Sequence, residues 1–240
     1  MAISEPKTHI SHIDCIRMRL FFDSVVVNLT GDLWVFFSHP FSCSVVGNSS
    51  QHISLFVQHP WFPGPVLFSF VHAKCSVVER RDLWSQLLRD KPVATPWYIG
   101  GDFNVITAPH EKRGGRPFIV SEGVEFLSFM EEAGVFDAGF SGPNFTWCNN
   151  MRGRARIWKQ LDRLILNEEC LGVASAISVV HLARHPSDHS PLEISFASRG
   201  DNKPRPFRFL NVWTTRPDLM EVIRQAWNME VQGSPLRILC

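Results

Sequence analysis

Three short segments of this 240-residue chain hold residue types that suit phosphate chemistry. The first is Gly100-Gly101-Asp102-Phe103-Asn104, which closes the apolar run Trp97-Tyr98-Ile99. Residues two apart at a strand end project to one side, so Asp102 and Asn104 share a face while Phe103 turns back into the core. A carboxylate beside a carboxamide suits holding a water and hydrogen-bonding a phosphoryl oxygen. The same residues also describe an Asx-rich turn after a strand. The second segment is Ser187-Asp188-His189-Ser190-Pro191, which opens the run LEISF. An acid next to a histidine suits metal binding and charge stabilisation, and histidine serves as acid, base or donor near neutral pH. A solvated turn is the plainer alternative. The third is Asp162, set among apolar neighbours in Gln160-Leu161-Asp162-Arg163-Leu164. A carboxylate inside a strand needs a partner. A histidine whose tautomer and orientation it fixes is one candidate, and an arginine salt bridge is the other.

The elements that position these residues are legible as alternating strand and helix patterns. FFDSVVVNL, LWVFF, HISLFV and VLFSFVHA are Val- and Phe-rich runs set apart by Thr30-Gly31-Asp32, Gly47-Asn48-Ser49 and Pro63-Gly64-Pro65, which predicts several strands. ERRDLWSQLLRD, residues 79 to 90, has Leu83/Leu87 and Trp84/Leu88 at helical spacing and is closed by Pro92 and Pro96. A second helix is predicted from about Ser121 as N-cap to Gly134 as stop. FTWC, RIWKQLDRLIL, AISVVHLA and LEISFA then read as strands. Trp84, Trp97 and Trp158 are expected to fill the core. The whole is a mixed α/β protein with layered sheets. At residue 198 the composition turns polar and proline-containing, SRGDNKPRPFRF. An amphipathic helix carrying Leu219, Val222, Ile223, Ala226 and Trp227 on one face follows. Residues 1–197 are thus expected to form one domain. Residues 198–240 would be a linker and helix leading towards a downstream region outside this chain.

Composition bounds the function class. A hydrophobic fraction of 45% and a charged fraction of 20% fit a globular protein, not a disordered one. A net charge of +1 excludes a globally basic nucleic-acid binder, so phosphate affinity must come from local patches. Two are present: Arg152, Arg154, Arg156 and Lys159 beside Trp147, and Lys112, Arg113 and Arg116 around two glycines. Each suits gripping backbone phosphates, and each equally suits a solvated basic loop. The six cysteines form no C-x-x-C pair, which argues against a zinc site or disulfide framework. His181, His185 and His189 have helical metal spacing, but the run is strand-like and Pro186 interrupts it. No apolar run approaches the ~20 residues that span a bilayer, and the N-terminus lacks a signal-peptide core. An intracellular protein with no membrane partner is expected.

GDFN, FTW, LDR and SDH-x-P, in that order, resemble the endonuclease/exonuclease/phosphatase (DNase I-like) superfamily. ISEP, LWVF, FVHAKC with ERRDLW, PWYIGGDFNVI and PFRFLNVW are similar to the endonuclease of plant LINE-type non-LTR retrotransposons. The resemblance covers nearly the whole chain. It implies a two-sheet β-sandwich flanked by helices, with the active site at one edge, and DNA-nicking activity that depends on Mg²⁺ or Mn²⁺. Oxygen ligands favour Mg²⁺ over zinc. It further implies a monomer without an organic cofactor, acting in the nucleus if on DNA. Residue by residue, Glu5 matches the metal-binding glutamate, and Asp102 with Asn104 the pair that positions the attacking water and scissile phosphate. Asp188 matches an acid at or near the metal, His189 the histidine on the phosphate, and Asp162 the acid that orients that histidine. Trp147, Arg152, Arg154 and Arg156 become the nucleic-acid contacts.

The sequence also departs from the family pattern. The family begins with a strand ending in an asparagine-containing motif, and none precedes Glu5. His72 stands where most relatives place a catalytic tyrosine, and Gln160 replaces the usual arginine before Leu161. The chain reads as an N-terminally truncated copy, which leaves a gap in the sandwich. Two other readings follow: a catalytically dead relic that at most binds nucleic acid weakly, and a phosphatase for small substrates, which the basic patch near Trp147 disfavours.

Overall fold

Runs rich in β-branched and aromatic residues dominate the first third of the chain and become strands wherever turn formers separate them. In the computed structural model, which describes residues 1–184, 187–197 and 219–227, the chain opens with β1 (Ala2–Ser4) and α1 (Ile13–Arg19). β2 (Ser24–Val27), β3 (Leu33–Phe37), β4 (Ser42–Asn48), β5 (His52–Gln58) and β6 (Val66–His72) follow. Next come α2 (Val77–Asp90), β7 (Trp97–Asp102), β8 (Lys112–Arg113), α3 (Val124–Ala133) and β9 (Val135–Asp137). β10 (Trp147–Cys148), β11 (Trp158–Lys159), β12 (Asp162–Asn167), β13 (Ala176–His181) and β14 (Leu192–Ala197) complete the sheets. The chain divides into two compact units, Met1–Lys203 and Pro204–Cys240. In the second, the described element is α4 (Leu219–Trp227), the helix expected from the apolar stripe. The expected linker from residue 198, the PFRFLNVW segment and His185 lie outside the described residues. No helix among the described residues is long and apolar enough to cross a membrane.

A six-stranded sheet, order β4-β5-β6-β7-β12-β9, forms the middle of the first unit. Its pairs are antiparallel except β6 with β7, which run parallel because α2 carries the chain back between them. β7 and β12 are buried on both faces, with apolar middles at Tyr98, Ile99, Leu164 and Ile165, since both faces are covered. On one side, Leu83, Trp84 and Leu87 of α2 and Phe126 and Phe129 of α3 pack on Leu67, Trp97, Ile99 and Ile165. Trp84 stacks on Phe129 at 4.9 Å and lies 5.2 Å from Phe126, which makes it the centre of this layer. On the other side lies a second layer in two pieces. The sheet β1-β3-β2 places Leu33 and Val35 against Ile53 and Leu55, and the pair β13-β14 places Val179 and Ile194 against Tyr98 and Leu164. A small sheet, β10-β11-β8, stands apart. This is the α/β two-sheet sandwich expected.

The local differences have physical causes. The α3 N-cap is Gly123, not Ser121, because residues 120–122 form a separate 3-10 turn. Gly134 ends α3 at φ 70°, as its stop signal predicted. RIWKQLDRLIL is two strands, broken at Gln160 and Leu161, where the Leu161 and Asp162 N–H groups both donate to Thr146 Oγ1 at 3.0 Å. FTWC contributes only Trp147 and Cys148 to a strand. Trp158 is half-buried, with Arg184 5.1 Å and Arg156 5.9 Å from its ring, so it is a surface platform and not core; Trp84 and Trp97 are core. The five described cysteines are unpaired.

Candidate active site

Segments far apart in sequence meet at one end of the central sheet. Antiparallel register sets Asp102 at the end of β7 opposite Asp162 at the start of β12, and parallel register sets Asp102 beside His72 at the end of β6. Close approach of β6 and β7 here requires glycine. Gly101 has φ +139°, and a Cβ on it would stand 2.0 Å from the Val71 carbonyl oxygen. The second glycine of GGDFN is therefore structural, and it brings the Asp102 carboxylate in line with its neighbours.

Phe103 is fully buried, as expected, and Asp102 and Asn104 face the same way. Asn104 sits at φ +50°, in the left-handed region that asparagine tolerates. Its backbone N–H donates to Asp102 Oδ1 at 2.8 Å, and its Nδ2 donates to Asp102 Oδ2 at 3.0 Å and to the Ala73 carbonyl at 2.7 Å. The Asx turn of the plainer reading is thus present, and it is what aims the pair.

Asp162 has histidine, not arginine, for its partner. His189 Nδ1 stands 2.9 Å from Asp162 Oδ2, leaving Nε2 directed at Asp102 Oδ2, 3.8 Å away. The strand of FTW holds this geometry. The Ser190 N–H donates to the Thr146 carbonyl, and the Cys148 N–H to the Asp188 carbonyl. Thr146 Oγ1 meanwhile accepts from the Asp162 N–H. One segment therefore fastens both members of the Asp162–His189 pair. Burial works against a charged His189, but the hydrogen bond and charge of Asp162, with Asp102 and Asp188, outweigh it and push the imidazole up to about 9. Burial and the facing Asp162 charge push Asp102 up to about 7.

Glu5 follows β1 directly, at φ +46°, and its N–H donates to the Asp32 carbonyl at 2.7 Å. Its exposed carboxylate pairs with Lys7, whose hydrogen bond holds it below the usual range, and lies 3.8 Å from His72 Nε2. Asp188 is exposed and accepts from Trp147 Nε1 at 3.2 Å. Burial holds the His72 imidazole below its ordinary value, and its Nδ1 faces Asp32 Oδ2 at 3.8 Å without a hydrogen bond. The structure therefore draws Glu5, His72, Asp102, Asn104, Asp162, Asp188 and His189 into one neighbourhood.

Asp32 and Glu111 are members of this region that sequence reasoning missed. Thr30-Gly31-Asp32 reads as a turn former, yet Asn28 Nδ2, at 2.6 Å, and Thr30 Oγ1, at 2.7 Å, both donate to Asp32. Those bonds hold its carboxyl low against the opposing effect of burial. Glu111 forms a buried ion pair with Arg163, the residue after Asp162. Neither had a motif signal; a charged residue predicted inside a strand, Arg163, was the available hint.

The donor set fits a hard divalent cation. Oxygen ligands from Asp102 and Asp162 lie with a His189 nitrogen within 4.8 Å of one another. Glu5 and Asp188 are outside that set, although their charges oppose each other. His189 Nδ1 is already committed to Asp162, so the carboxylates are the better ligands. The acids Glu5, Asp32, Asp102, Asp162 and Asp188 exceed the nearby cations Lys7 and Lys74, and a bound cation would relieve that excess.

Of the expected nucleic-acid contacts, Trp147 borders the site, its backbone bridged to His189 and its ring covered by Lys159 at 5.6 Å. Arg152, Arg154 and Arg156 lie on an exposed loop beyond it, with Arg156 Nε donating to the Met151 carbonyl. His181 is buried, donates from Nδ1 to the Pro143 carbonyl and stacks on Phe140, which sets it apart from a histidine metal cluster.

Comparison with protein-family models and with curated proteins finds no match. Solved structures do match. The endonuclease domain of TRAS1, a telomere-specific non-LTR retrotransposon, superposes with a TM-score of 0.58 at 15% identity, over 73% of this chain and 80% of that one. The 3′ phosphatase NExo from Neisseria, bound to a product DNA hairpin, gives 0.57 at 13% identity, over 81% of this chain and 87% of that one. TDP2 from Caenorhabditis elegans gives 0.53 at 15% identity, over 82% of this chain and 63% of that one. At these identities the likeness establishes the fold, and the fold is the DNase I-like one of the endonuclease/exonuclease/phosphatase proteins.

Proposed function

We propose that residues 1–197 form a metal-dependent phosphodiesterase domain that nicks DNA, of non-LTR retrotransposon origin. The observation that carries this reading is the Asp162–His189 pair set against Asp102 and Asn104, where unrelated chain segments converge. Fold alone does not decide function; the chemistry of the site does. Asp102, bonded to Asn104 through both carboxylate oxygens, is placed to take a proton from an attacking water held between them. His189, charged and held by Asp162, presents its Nε2–H to the negative charge that builds on the phosphoryl oxygens. His72 contributes a shorter donor than the tyrosine it replaces. Mg²⁺ or Mn²⁺ would supply Lewis acidity to the phosphate, held by Asp102 of the Asp102–Asp162–His189 group together with Glu5 and Asp188, which lie outside that group and which the resemblance assigns to the metal. Trp147, Arg152, Arg154 and Arg156 would line the path of the DNA backbone, with Lys159 and Arg184 extending it. The TRAS1 structure is the endonuclease domain of a non-LTR retrotransposon and the NExo structure is bound to a product DNA hairpin, which supports a DNA substrate.

The test is hydrolysis of bis(p-nitrophenyl) phosphate, a phosphodiester that makes no groove contacts, beside p-nitrophenyl phosphate. Turnover of the diester in Mg²⁺ or Mn²⁺, abolished by EDTA and by Asp102→Ala, is expected. Preference for the monoester would overturn the reading in favour of a small-substrate phosphatase. No turnover by folded protein would leave the non-catalytic binding module.

A further inference from the structure

A row of cations leads away from the candidate active site across the small sheet β10-β11-β8. Register sets Trp147 opposite Lys159, and Lys159 opposite Lys112. Residues directly opposite in antiparallel strands share a face, so these three side chains stand in line. Lys159 Nζ lies 5.6 Å from the centre of the Trp147 ring, as that alignment requires. The row begins at the site itself, where Trp147 Nε1 donates to Asp188 Oδ2 at 3.2 Å. Within electrostatic reach of Lys159, the exposed Cys75 places its Sγ 3.6 Å from Asn104 Oδ1.

Both ends of β8 are fixed. Glu111, which precedes Lys112, is buried and bonded to Arg163 and to the Thr107 N–H. Gly114, which follows β8, turns the chain at φ +86°, and a Cβ on it would stand 2.3 Å from the Arg156 carbonyl oxygen. The lysines are thus presented from a sheet face and not from a loose loop. Their placement is unfavourable in itself, because like charges directly opposite in a strand pair destabilise it. Neither lysine has an ion-pair partner among the described residues, whereas the nearby Arg116 is matched by Glu122 at 2.6 Å. Burial, and then the Lys112 charge, hold the half-buried Lys159 ammonium below its ordinary value. An anion lying along the row would relieve that repulsion.

We propose that Lys159 and Lys112 bind backbone phosphates of the DNA strand that leaves the candidate active site past Trp147. This rests on the phosphodiesterase reading and adds a substrate requirement to it. Neighbouring strands lie about 4.8 Å apart, so Lys112 stands roughly 10 Å from the strand of Trp147. A DNA strand carries one phosphate per ~3.4 Å of helix axis, so two or three phosphates cover that distance. The favoured substrate is therefore a polynucleotide that continues at least that far beyond the cut. A mononucleotide ester bound at the Asp102–His189 end does not reach Lys112. Lysine is a point charge with rotatable donors and reads no base edge, so the row adds affinity without sequence preference.

The experiment measures binding of a fluorescein-labelled duplex of about 20 base pairs to the full chain in EDTA, by anisotropy, from about 50 to about 200 mM KCl. Lys112→Gln and Lys159→Gln should each lower the slope of log affinity against log salt by about 0.9, the share of one phosphate contact. Raising salt over that range then costs each variant about threefold less affinity than it costs the unaltered chain. Lys112→Arg should keep the slope. Arg89→Gln, which removes an exposed cation at the far end of α2, should keep it too. Unchanged slopes in the lysine variants would overturn the proposal, and so would an equal loss in Arg89→Gln. Lys112→Gln decides the outcome if the half-buried Lys159 variant does not fold. Absence of binding in EDTA would also overturn it, because the lysines act without metal. Plasmid nicking in Mg²⁺ tests the phosphodiesterase reading separately. Nicking with unchanged slopes removes the lysine row alone, whereas neither nicking nor binding by folded protein removes both.

Discussion

Glu111→Gln should destabilise the first unit severely although neither Glu111 nor its partner belongs to the candidate chemistry. Arg163 and Glu111 are 5% and 6% exposed, and they meet through two hydrogen bonds, one of them Arg163 Nη1 to Glu111 Oε1 at 2.9 Å. Thr107 adds its N–H and hydroxyl to Glu111. Once the carboxylate charge is gone, the buried guanidinium keeps the Gln160 carbonyl and, as its remaining anion among the described residues, Asp137 at 3.3 Å and one-third exposed. Removing one partner of a buried pair costs about 3–5 kcal/mol because the remaining charge is uncompensated. For a unit of this size each kcal/mol moves Tm by roughly 2–4 °C, so a fall of about 6–20 °C is expected by calorimetry or circular dichroism. Asp14→Ala, which breaks the exposed pair of Asp14 with Arg17, should cost no more than about 1 kcal/mol. Replacing both buried partners, Glu111→Leu with Arg163→Met, should recover much of the loss. If Glu111→Gln melted within a few degrees of Asp14→Ala, the assignment of this pair as a buried clamp on β12 would be wrong.

Further outcomes follow from the site's geometry. The His189 imidazole should titrate near pH 9 by NMR in EDTA, and Asp162→Asn should lower it, since that removes the hydrogen bond and charge that most strongly oppose burial. A folded-state value raised above the unfolded 6.5 means the stabilisation from this pair is complete below about pH 6.5 and lost as pH rises through about 9. Chemical denaturation of the metal-free protein at pH 6 and pH 10 should show that loss, and Asp162→Asn should remove it. Gly101→Ala should cost at least ~2 kcal/mol in urea unfolding, since a Cβ at φ +139° meets the Val71 carbonyl 2.0 Å away. Unchanged stability would mean β6 and β7 part more easily than their register suggests. Trp84→Ala, which empties the centre of the α2–α3 layer, should cost roughly 3–5 kcal/mol.

Much of the fold was legible because the signals were local. Leu83, Trp84, Leu87 and Leu88 carry helical spacing that needs no tertiary context, and the Val- and Phe-rich runs mark strands in the same way. Where tertiary pairing decides, sequence said less. Trp158 and Lys159 belong to a strand of two residues that exists only because β8 and β10 flank it. Val135–Asp137 is a strand through its pairing with β12, and Ser42–Asn48 through its pairing with β5. Ile13–Arg19, a helix with no buried residue, presents no strong periodicity to read. At the site, Asp102, Asn104, Asp162, Asp188 and His189 were identifiable as an ordered set of motifs. Asp32 and Glu111 were hidden, because only folding brings Asn28 and Arg163 to them.

The most direct measurement of the central claim is nicking of supercoiled plasmid by the purified full chain in Mg²⁺ or Mn²⁺, followed on agarose gels beside Asp102→Ala, His189→Ala and Asp188→Ala. The account predicts conversion to open circles that EDTA stops and that each variant reduces by about a hundredfold or more, the scale of losing a positioned acid, base or charge-stabilising group. Nicking that persists unchanged in Asp102→Ala and His189→Ala, or no nicking by folded protein with metal present, would contradict it.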